Sequence, residues 1–388
     1  MNTSKILITG ATGDTGGYAI EQLLQTGRQV RALVHRRDDR SKRLEERGVE
    51  VVAGDYLDLD AMRAAVQGVR RAYFVYPIRP GIIQATAYFA QAAREASVDA
   101  VVNMSQISAR EDARSHAARD HWVAERVFDW SGVGVTHLRP TFFAEWLLYY
   151  ASMVKAGMLH VPFGTGKHAP VAAEDQARVI VGVLENPSPH RGKVYPLFGP
   201  KEYTHAEIAQ VLGRVLHKNV HYKQVAIGEL LQRRASSQSP APGQVNSRTG
   251  YGELERSQQG QLEESFFLQH IREVAADHQA GVFAGTNDLI ETIGGRPPMS
   301  LEAFIEQDRQ ASVRRTRNGV PSWGEWTWLL HMMPAITTAR PPWSGVSTRR
   351  CFARDSRTGS SAGQTSRRSI NSTSAASPPP GSLRRLSA

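Results

Sequence analysis

The 388-residue chain has a single cysteine, Cys351. One thiol cannot close an intrachain disulfide, and no cysteine-based metal site can be built from it. No run of about 18 apolar residues occurs, so no membrane-spanning helix is expected. The opening MNTSKILITG lacks the long apolar core of a secretory signal. It reads as a strand, and the expected location is the cytoplasm. Lysine is missing from the end of the chain. From Arg309 to Ala388 there are thirteen Arg, no Lys, and only Glu325 and Asp355 as acids, a net of +11. The whole chain carries +10, which leaves −1 for the first 308 residues. The body is near neutral and offers no field or recognisable motif for nucleic acid, so any contact through the Arg-rich end would be nonspecific and salt-dependent.

That end differs in kind as well as charge. After EAFIEQDR the helical period is expected to stop. Stretches such as STRRCFARDSRTGSSAGQTSRRS and SAASPPPGSLRR hold too little apolar surface to offset the entropy of ordering them. Residues 309–388 are therefore expected to be a disordered Arg/Ser/Pro-rich tail. Two accounts of it stand: a genuine extension, or a shifted reading frame in a GC-rich gene, which would explain Arg without Lys.

Ahead of the tail, strand and helix signals alternate. KILITG, QVRALVH, VEVVAGD, RAYFVYP, VDAVVNMSQ and VGVTHLRP read as six strands. Helical patterns lie between them, among them GYAIEQLLQTG, stopped by Gly27, and LDLDAMRAAVQG, with Asp58 and Asp60 in its first turn. Six alternations predict a doubly wound α/β fold, a Rossmann sheet in the order 3-2-1-4-5-6 buried on both faces. Ligands of such sheets bind at the carboxyl ends of the strands. After Pro140 the rhythm changes. TFFAEWLLYYASMVKAG reads as one helix, AEDQARVIVGVLENP and THAEIAQVLGRVLHK as others, and KVYPLFG and NVHYKQVAI as strands. Residues from Ile227 to Arg309 read as mostly helical, with a loop at SSQSPAPGQVNSRTG. Residues 1–308 thus divide into a Rossmann core to about 140 and a smaller substrate lobe, about 141–308.

Four glycines crowd the first strand–helix junction, TGATGDTGG (Thr9 to Gly17), although Gly costs a helix about 1 kcal/mol relative to Ala. A helix N-terminus offers unpaired N–H groups and a positive dipole end, which a diphosphate reaches only where side chains are absent. Gly10 permits the turn, Gly13 the approach of the diphosphate, and Gly16 close packing of helix on sheet. The spacing is G-x-x-G-x-x-G rather than G-x-G-x-x-G. At the end of the second strand, where NAD-binding folds place an acid for the ribose, stand His35, Arg36 and Arg37. Arginine suits a 2′-phosphate, so NADP(H) is preferred, while Asp38 keeps NAD(H) possible. Asp55 and Tyr56, after the third strand, are placed to contact adenine. Pro77 to Gly81, after the fourth, would face the ribose and nicotinamide.

Taken together, TGATGDTGG, GVEVVAGDYLD, GVRRAYFVYP, AVVNMSQISA, THLRPTFFAEWLL, APVAAEDQARVI and YPLFGP resemble the NmrA-like family, an atypical branch of the short-chain dehydrogenases/reductases. The resemblance covers about residues 4–308. It implies one of two activities. Some members are NAD(P)H-dependent reductases of quinones, azo dyes or related aromatic compounds. Others bind the dinucleotide as redox sensors without turnover. By resemblance, Gly10, Thr12, Gly13, Asp14 and Thr15 would hold the diphosphate, Arg36 the 2′-phosphate, and Asp55 and Tyr56 the adenine.

One departure bears on chemistry. The Tyr-x-x-x-Lys of many short-chain reductases is missing from SHAARDHWVAERVF. His121 and Glu125 sit four apart there instead, and Ser105 stands at the level of a catalytic serine. A quinone or azo acceptor needs only hydride from the cofactor and protons from water or a histidine, so His121 and Ser105 are the catalytic candidates. The alternative for His121–Glu125 is an ordinary pair on the helix surface. His116, His121 and Glu125 offer no evident third metal ligand, and no metal is expected. Phe142, Phe143 and Trp146, where the chain leaves the sixth strand, would form a wall for a flat aromatic acceptor, with part of that wall serving as core. A monomer or homodimer is expected.

Overall fold

In the first strand, β1 (Lys5–Ile8), Ile6 and Ile8 enter one apolar cluster and Leu7 the other. Side chains alternate across a strand, so a strand apolar at every position is one covered on both faces. β2 (Val30–Val34) and β5 (Ala100–Met104) are buried at every residue for the same reason. The computed structural model describes residues 5–229 and 253–317, with side chains over 5–229 and 266–310. The predicted loop at 236–250 and the tail beyond 317 lie outside the described residues.

β3 (Glu50–Ala53), β4 (Val69–Phe74), β6 (Val135–Pro140) and β9 (Val194–Leu197) complete a seven-stranded sheet in the order β3-β2-β1-β4-β5-β6-β9. Every pairing is parallel. This is the doubly wound Rossmann arrangement, with β9, the strand read from KVYPLFG, added beyond β6. One face is covered by α1 (Asp14–Gln25), α7 (Ala173–Glu185) and the short α10 (Leu289–Gly294), which pack Ile20, Leu23, Ile180, Val183 and Ile290 against the sheet. The other is covered by α3 (Leu59–Val66), α4 (Ile82–Glu95) and α5 (His116–Ser131). There Phe74 meets Phe89 at 4.8 Å and Phe128 at 5.4 Å between ring centroids. Polar residues fix the helix starts. Asp58 accepts from the backbone N–H groups of Asp60 and Ala61, and Asp38 and Ser41 form a reciprocal capping box on α2 (Asp39–Glu45).

The lobe after β6 has its own core, with Phe142, Leu159, Phe163, Ile208, Leu212, Val274 and Phe283 among its members. Two small ladders brace it. β7 (Met158–Val161) runs parallel to β11 (His221–Gln224), and β8 (Lys167–His168) antiparallel to β10 (Tyr203–Thr204). Helices α8 (His205–Leu216), α9 (Glu253–Gln279) and α11 (Leu301–Arg317) complete it.

Two sequence expectations need correction. TFFAEWLLYYASMVKAG is not one helix. Phe142 and Ala144 exchange backbone hydrogen bonds with Val171, holding Thr141 to Phe143 extended. A 3₁₀ turn follows over Ala144–Tyr150, and only Ala151–Lys155 (α6) is α-helical. Nor does α11 stop at Arg309; it continues to Arg317. Ala and Arg are good helix formers, so propensity carries the backbone on after the apolar stripe ends. No helix of the described residues is long and apolar enough to cross a membrane.

Candidate functional site

The β1–α1 junction has glycine at three of its positions, Gly10, Gly13 and Gly16. Gly10 has φ +58°, and a Cβ there would lie 2.5 Å from Val75 Cγ1. A Cβ on Gly16 would fall on the carbonyl of Gly10. Both positions therefore require glycine, one for its conformation and both for space. Gly13 is the N-cap of α1 and offers no capping side chain, so no side chain of the cap occupies the first-turn amides. A dinucleotide diphosphate fits this edge, where the first turn of α1 has no capping side chain and the helix dipole favours an anion.

Neighbouring side chains prop the loop from below. The Gly10 N–H donates to the Tyr56 hydroxyl at 3.1 Å, and the Tyr56 ring packs edge-on against Phe74 and Tyr76. Thr15 Oγ1 lies 2.8 Å from the Tyr73 hydroxyl in the buried layer. Tyr56, expected at the adenine, thus has its hydroxyl turned to the loop. Thr12 and Gly13 are half-buried on the junction, and Asp14 is exposed at the first turn of α1.

The two arginines after β2 part company. Arg37 is engaged by the Glu45 carboxylate and the Val51 carbonyl. Arg36 is exposed and pairs with no carboxylate among the described residues. Asp38 spends its carboxylate on capping α2 and on Arg40. Asp55 is half-buried, 4.0 Å from His35 Nδ1. Pro77 lies half-buried in the loop after β4, its carbonyl accepting from the Arg79 N–H.

Polar atoms lacking partners collect in the loops after β5 and β6. Ser105 Oγ and Gln106 Nε2, directly after β5, are buried and have no hydrogen bond among the described residues. Glu145, in the 3₁₀ turn after β6, is 9% exposed. One of its oxygens accepts the Ala173 N–H at the start of α7 at 2.9 Å, and the other has no partner among the described residues. Burial pushes its carboxyl up to about 8, with the charges of Asp14 and Asp175 adding to the effect. At neutral pH it holds a proton. Buried polar groups are ordinarily satisfied, so these orphans suit a ligand that supplies partners.

His121 lies elsewhere in character. It is 4% exposed on α5, and burial together with nearby His270 pushes its imidazole down to about 3. It carries no imidazolium proton at neutral pH. The surface-pair alternative also fails: Glu125 is fully buried and pairs with Arg139 through two hydrogen bonds of 2.8 and 2.5 Å. His116 is exposed and joins neither.

Phe142, Phe143 and Trp146 do come together. They line one cavity with Leu147, Phe163, His168 and His205. Phe142 is mostly core, 4.4 Å from Phe283 and stacked on His278 at 5.4 Å. The cavity has room for about one water, about 20 Å³, so a flat acceptor enters only when Trp146 or its neighbours move. One ring nitrogen from each of His168, His205 and His278 lies within 4.8 Å of the others. Burial holds all three imidazoles below their ordinary range. The sequence reading missed Gln106, Glu145 and this trio. Glu145 sits in the quoted FFAEWLL, but only the fold reveals that it is buried.

The similarities are consistent with this geometry. The chain is 29% identical over 304 residues to the NAD(P)H azoreductase of Xenophilus azovorans, covering 78% of this chain and 96% of that protein. It is 30% identical over 229 residues to quinone oxidoreductase 2 of Escherichia coli, covering 57% of this chain and 78% of that one. The solved structure of an NADPH-dependent quinone oxidoreductase from Escherichia coli, complexed with NADPH, shares the fold. Its TM-score is 0.64 at 24% identity, over 78% of this chain and 99% of that one. Residues 2–264, from the first strand through the whole parallel sheet and into the lobe, match the NmrA-like family, and the chain belongs to it.

Proposed function

We propose that this chain is a cytoplasmic NAD(P)H-dependent reductase that passes hydride to a small aromatic acceptor such as a quinone or an azo compound. Its dinucleotide half is residues 1 to about 140 together with α7, β9 and α10, and its acceptor half is the rest of about 141–308. The observation that carries the reading is the uncapped glycine start of α1, with Arg36 exposed and paired with no carboxylate among the described residues at the neighbouring strand end. The likeness to an azoreductase over nearly that protein's full length supports it.

The nicotinamide, when bound, supplies the hydride. Hydride plus one proton turns a quinone into a hydroquinone, and an azo double bond into a hydrazine. The chain's residues bind, orient and exclude water. First-turn amides of α1 hold the diphosphate, and Arg36 pairs the 2′-phosphate, which sets the preference for NADP(H) over NAD(H). Ser105 Oγ and Gln106 Nε2 offer hydrogen bonds to polar groups of the cofactor or acceptor from a buried position. Phe142, Phe143 and Trp146 form the apolar wall. The proton comes from water or from the protonated Glu145, because His121 has none to give at neutral pH.

Calorimetric titration of the full chain with NADPH, NADP⁺, NADH and NAD⁺ tests the binding part. Tight NADPH and weak NADH are expected. A folded chain that binds none of the four would mean that the glycines serve only a turn, and the reductase reading would fall.

A further inference from the structure

Three histidines far apart in sequence meet inside the lobe. His168 is on β8, His205 is the first residue of α8, and His278 is near the end of α9. Their exposures are 3%, 3% and 0%. Their rings lie 5.0 to 5.1 Å apart between centroids. His278 Nδ1 lies 3.0 Å from the Phe163 carbonyl and therefore donates to it. That bond fixes the tautomer: the lone pair of His278 is on Nε2, which lies 3.0 Å from His168 Nδ1. A backbone carbonyl holding the outer nitrogen is the usual support of a metal-ligating imidazole.

Hydrogen bonding among the rings does not satisfy the cluster. The contact between His168 and His278 uses one donor and one acceptor, and the Phe163 carbonyl takes one further donor. Among the described residues, His205 Nδ1 is buried with no partner. A buried nitrogen without a partner is destabilising until something supplies one. Three neutral imidazoles facing one point are a nitrogen donor set that a cation completes.

From this convergence we infer that His168, His205 and His278 form a binding site for one divalent first-row transition ion, zinc above the others. Three histidines and one water make a tetrahedral zinc site, and the adjoining cavity, lined by His168 and His205, has room for about one water. Zinc–nitrogen bonds of about 2.0–2.1 Å set the nitrogens about 3.4 Å apart. The 3.0 Å pair opens by a few tenths of an ångström, and no pair, all being within 4.8 Å, closes by more than about 1.4 Å. Rotations of the imidazole rings supply this. The ion would tie β8, α8 and α9 together beside the aromatic wall. The inference does not depend on turnover of a nicotinamide cofactor.

The test uses the full chain, stripped by chelator and dialysed, and titrated with zinc and with cobalt(II). Uptake of one ion per chain is expected, with the visible absorption of a tetrahedral cobalt site and a melting temperature that rises on loading. The His205→Phe variant keeps a ring stacked on Phe163, 4.8 Å away, and should lose the cobalt spectrum and at least tenfold in zinc affinity. His168→Gln should do the same. If either variant does not fold, the isotope-labelled imidazole nitrogens of the wild-type chain decide. Zinc should shift the ligating nitrogens of these three residues and of no other histidine. A folded wild-type chain that takes up no zinc at micromolar concentration would overturn the inference. So would variants that bind as tightly as wild type, or shifts confined to other histidines.

Discussion

Replacing Glu145 by Gln should change how stability depends on pH, and the structure gives the size of the change. One carboxyl oxygen accepts the Ala173 N–H, and the start of α7 also favours a negative charge. Against these stand burial, an oxygen with no partner, and the charges of Asp14 and Asp175. Burial wins and raises the group from 4.5 to about 8. Below about pH 4.5 the folded and unfolded chains both hold this proton, and Glu145 imposes no penalty. Between 4.5 and 8 the unfolded chain releases the proton while the folded chain keeps it, so folding becomes less favourable as pH rises. The rise of about 3.5 units corresponds to about 4–5 kcal/mol at 1.36 kcal/mol per unit, fully lost above about pH 8. Gln keeps the carbonyl that caps Ala173 and cannot ionise. Buried histidines work in the opposite direction below about pH 6.5, but they are common to both proteins and cancel in the comparison. Urea unfolding of wild type and Glu145→Gln at pH 5 and pH 8.5 reads the effect. Between pH 5 and pH 8.5 about 3.7 kcal/mol of this is lost, so with a slope of about 3 kcal/mol per molar the gap between midpoints should move by about 1.2 M in favour of the variant. A gap that stays constant across this range would mean that Glu145 ionises normally, and the account of its burial would be wrong.

Other substitutions probe the remaining parts. Arg36→Gln removes a charge-assisted contact of about 1.5–3 kcal/mol, so NADPH affinity should fall about 10- to 100-fold while NADH affinity stays unchanged; equal losses for both would contradict the 2′-phosphate role. Gly16→Ala places a methyl on the Gly10 carbonyl and should cost about 1–3 kcal/mol of stability and weaken every dinucleotide alike, as thermal melts and calorimetry would reveal. Glu125→Ala strands the Arg139 guanidinium beside a fully buried position and should cost about 3–5 kcal/mol; a loss under 1 kcal/mol would show that the pair is not load-carrying in the folded state.

Much of the fold was legible because a parallel sheet covered on both faces writes its strands as continuous apolar runs, and helices recur between them. KILI, VRALV and AVVNM became β1, β2 and β5 on that signal alone. The glycine spacing at 10, 13 and 16 was legible because a positive φ at Gly10 and the approach of Gly16 to the Gly10 carbonyl leave no alternative residue at two of the three. Legibility failed where long-range contacts override local preference. TFFAEWLL has helical apolar spacing, but Val171 captures the backbone of Phe142 and Ala144 first. His121 and Glu125 look like a surface pair at i and i+4, yet α5 turns both inward and Arg139, from β6, takes the carboxylate. His168, His205 and His278 carry no spacing motif, since β8, α8 and α9 bring them together only in the folded lobe. Ser105 and Arg36 were found from position on their strands; their lack of partners needed the structure.

The central claim is that this chain turns over NAD(P)H with an aromatic acceptor, and the most direct measurement is NADPH consumption by the purified full chain against a panel of quinones and azo dyes. The account predicts acceptor-dependent oxidation well above the background of enzyme or acceptor alone, faster with NADPH than with NADH. Tight NADPH binding with no oxidation by any acceptor in the panel would contradict it and leave a dinucleotide sensor in its place.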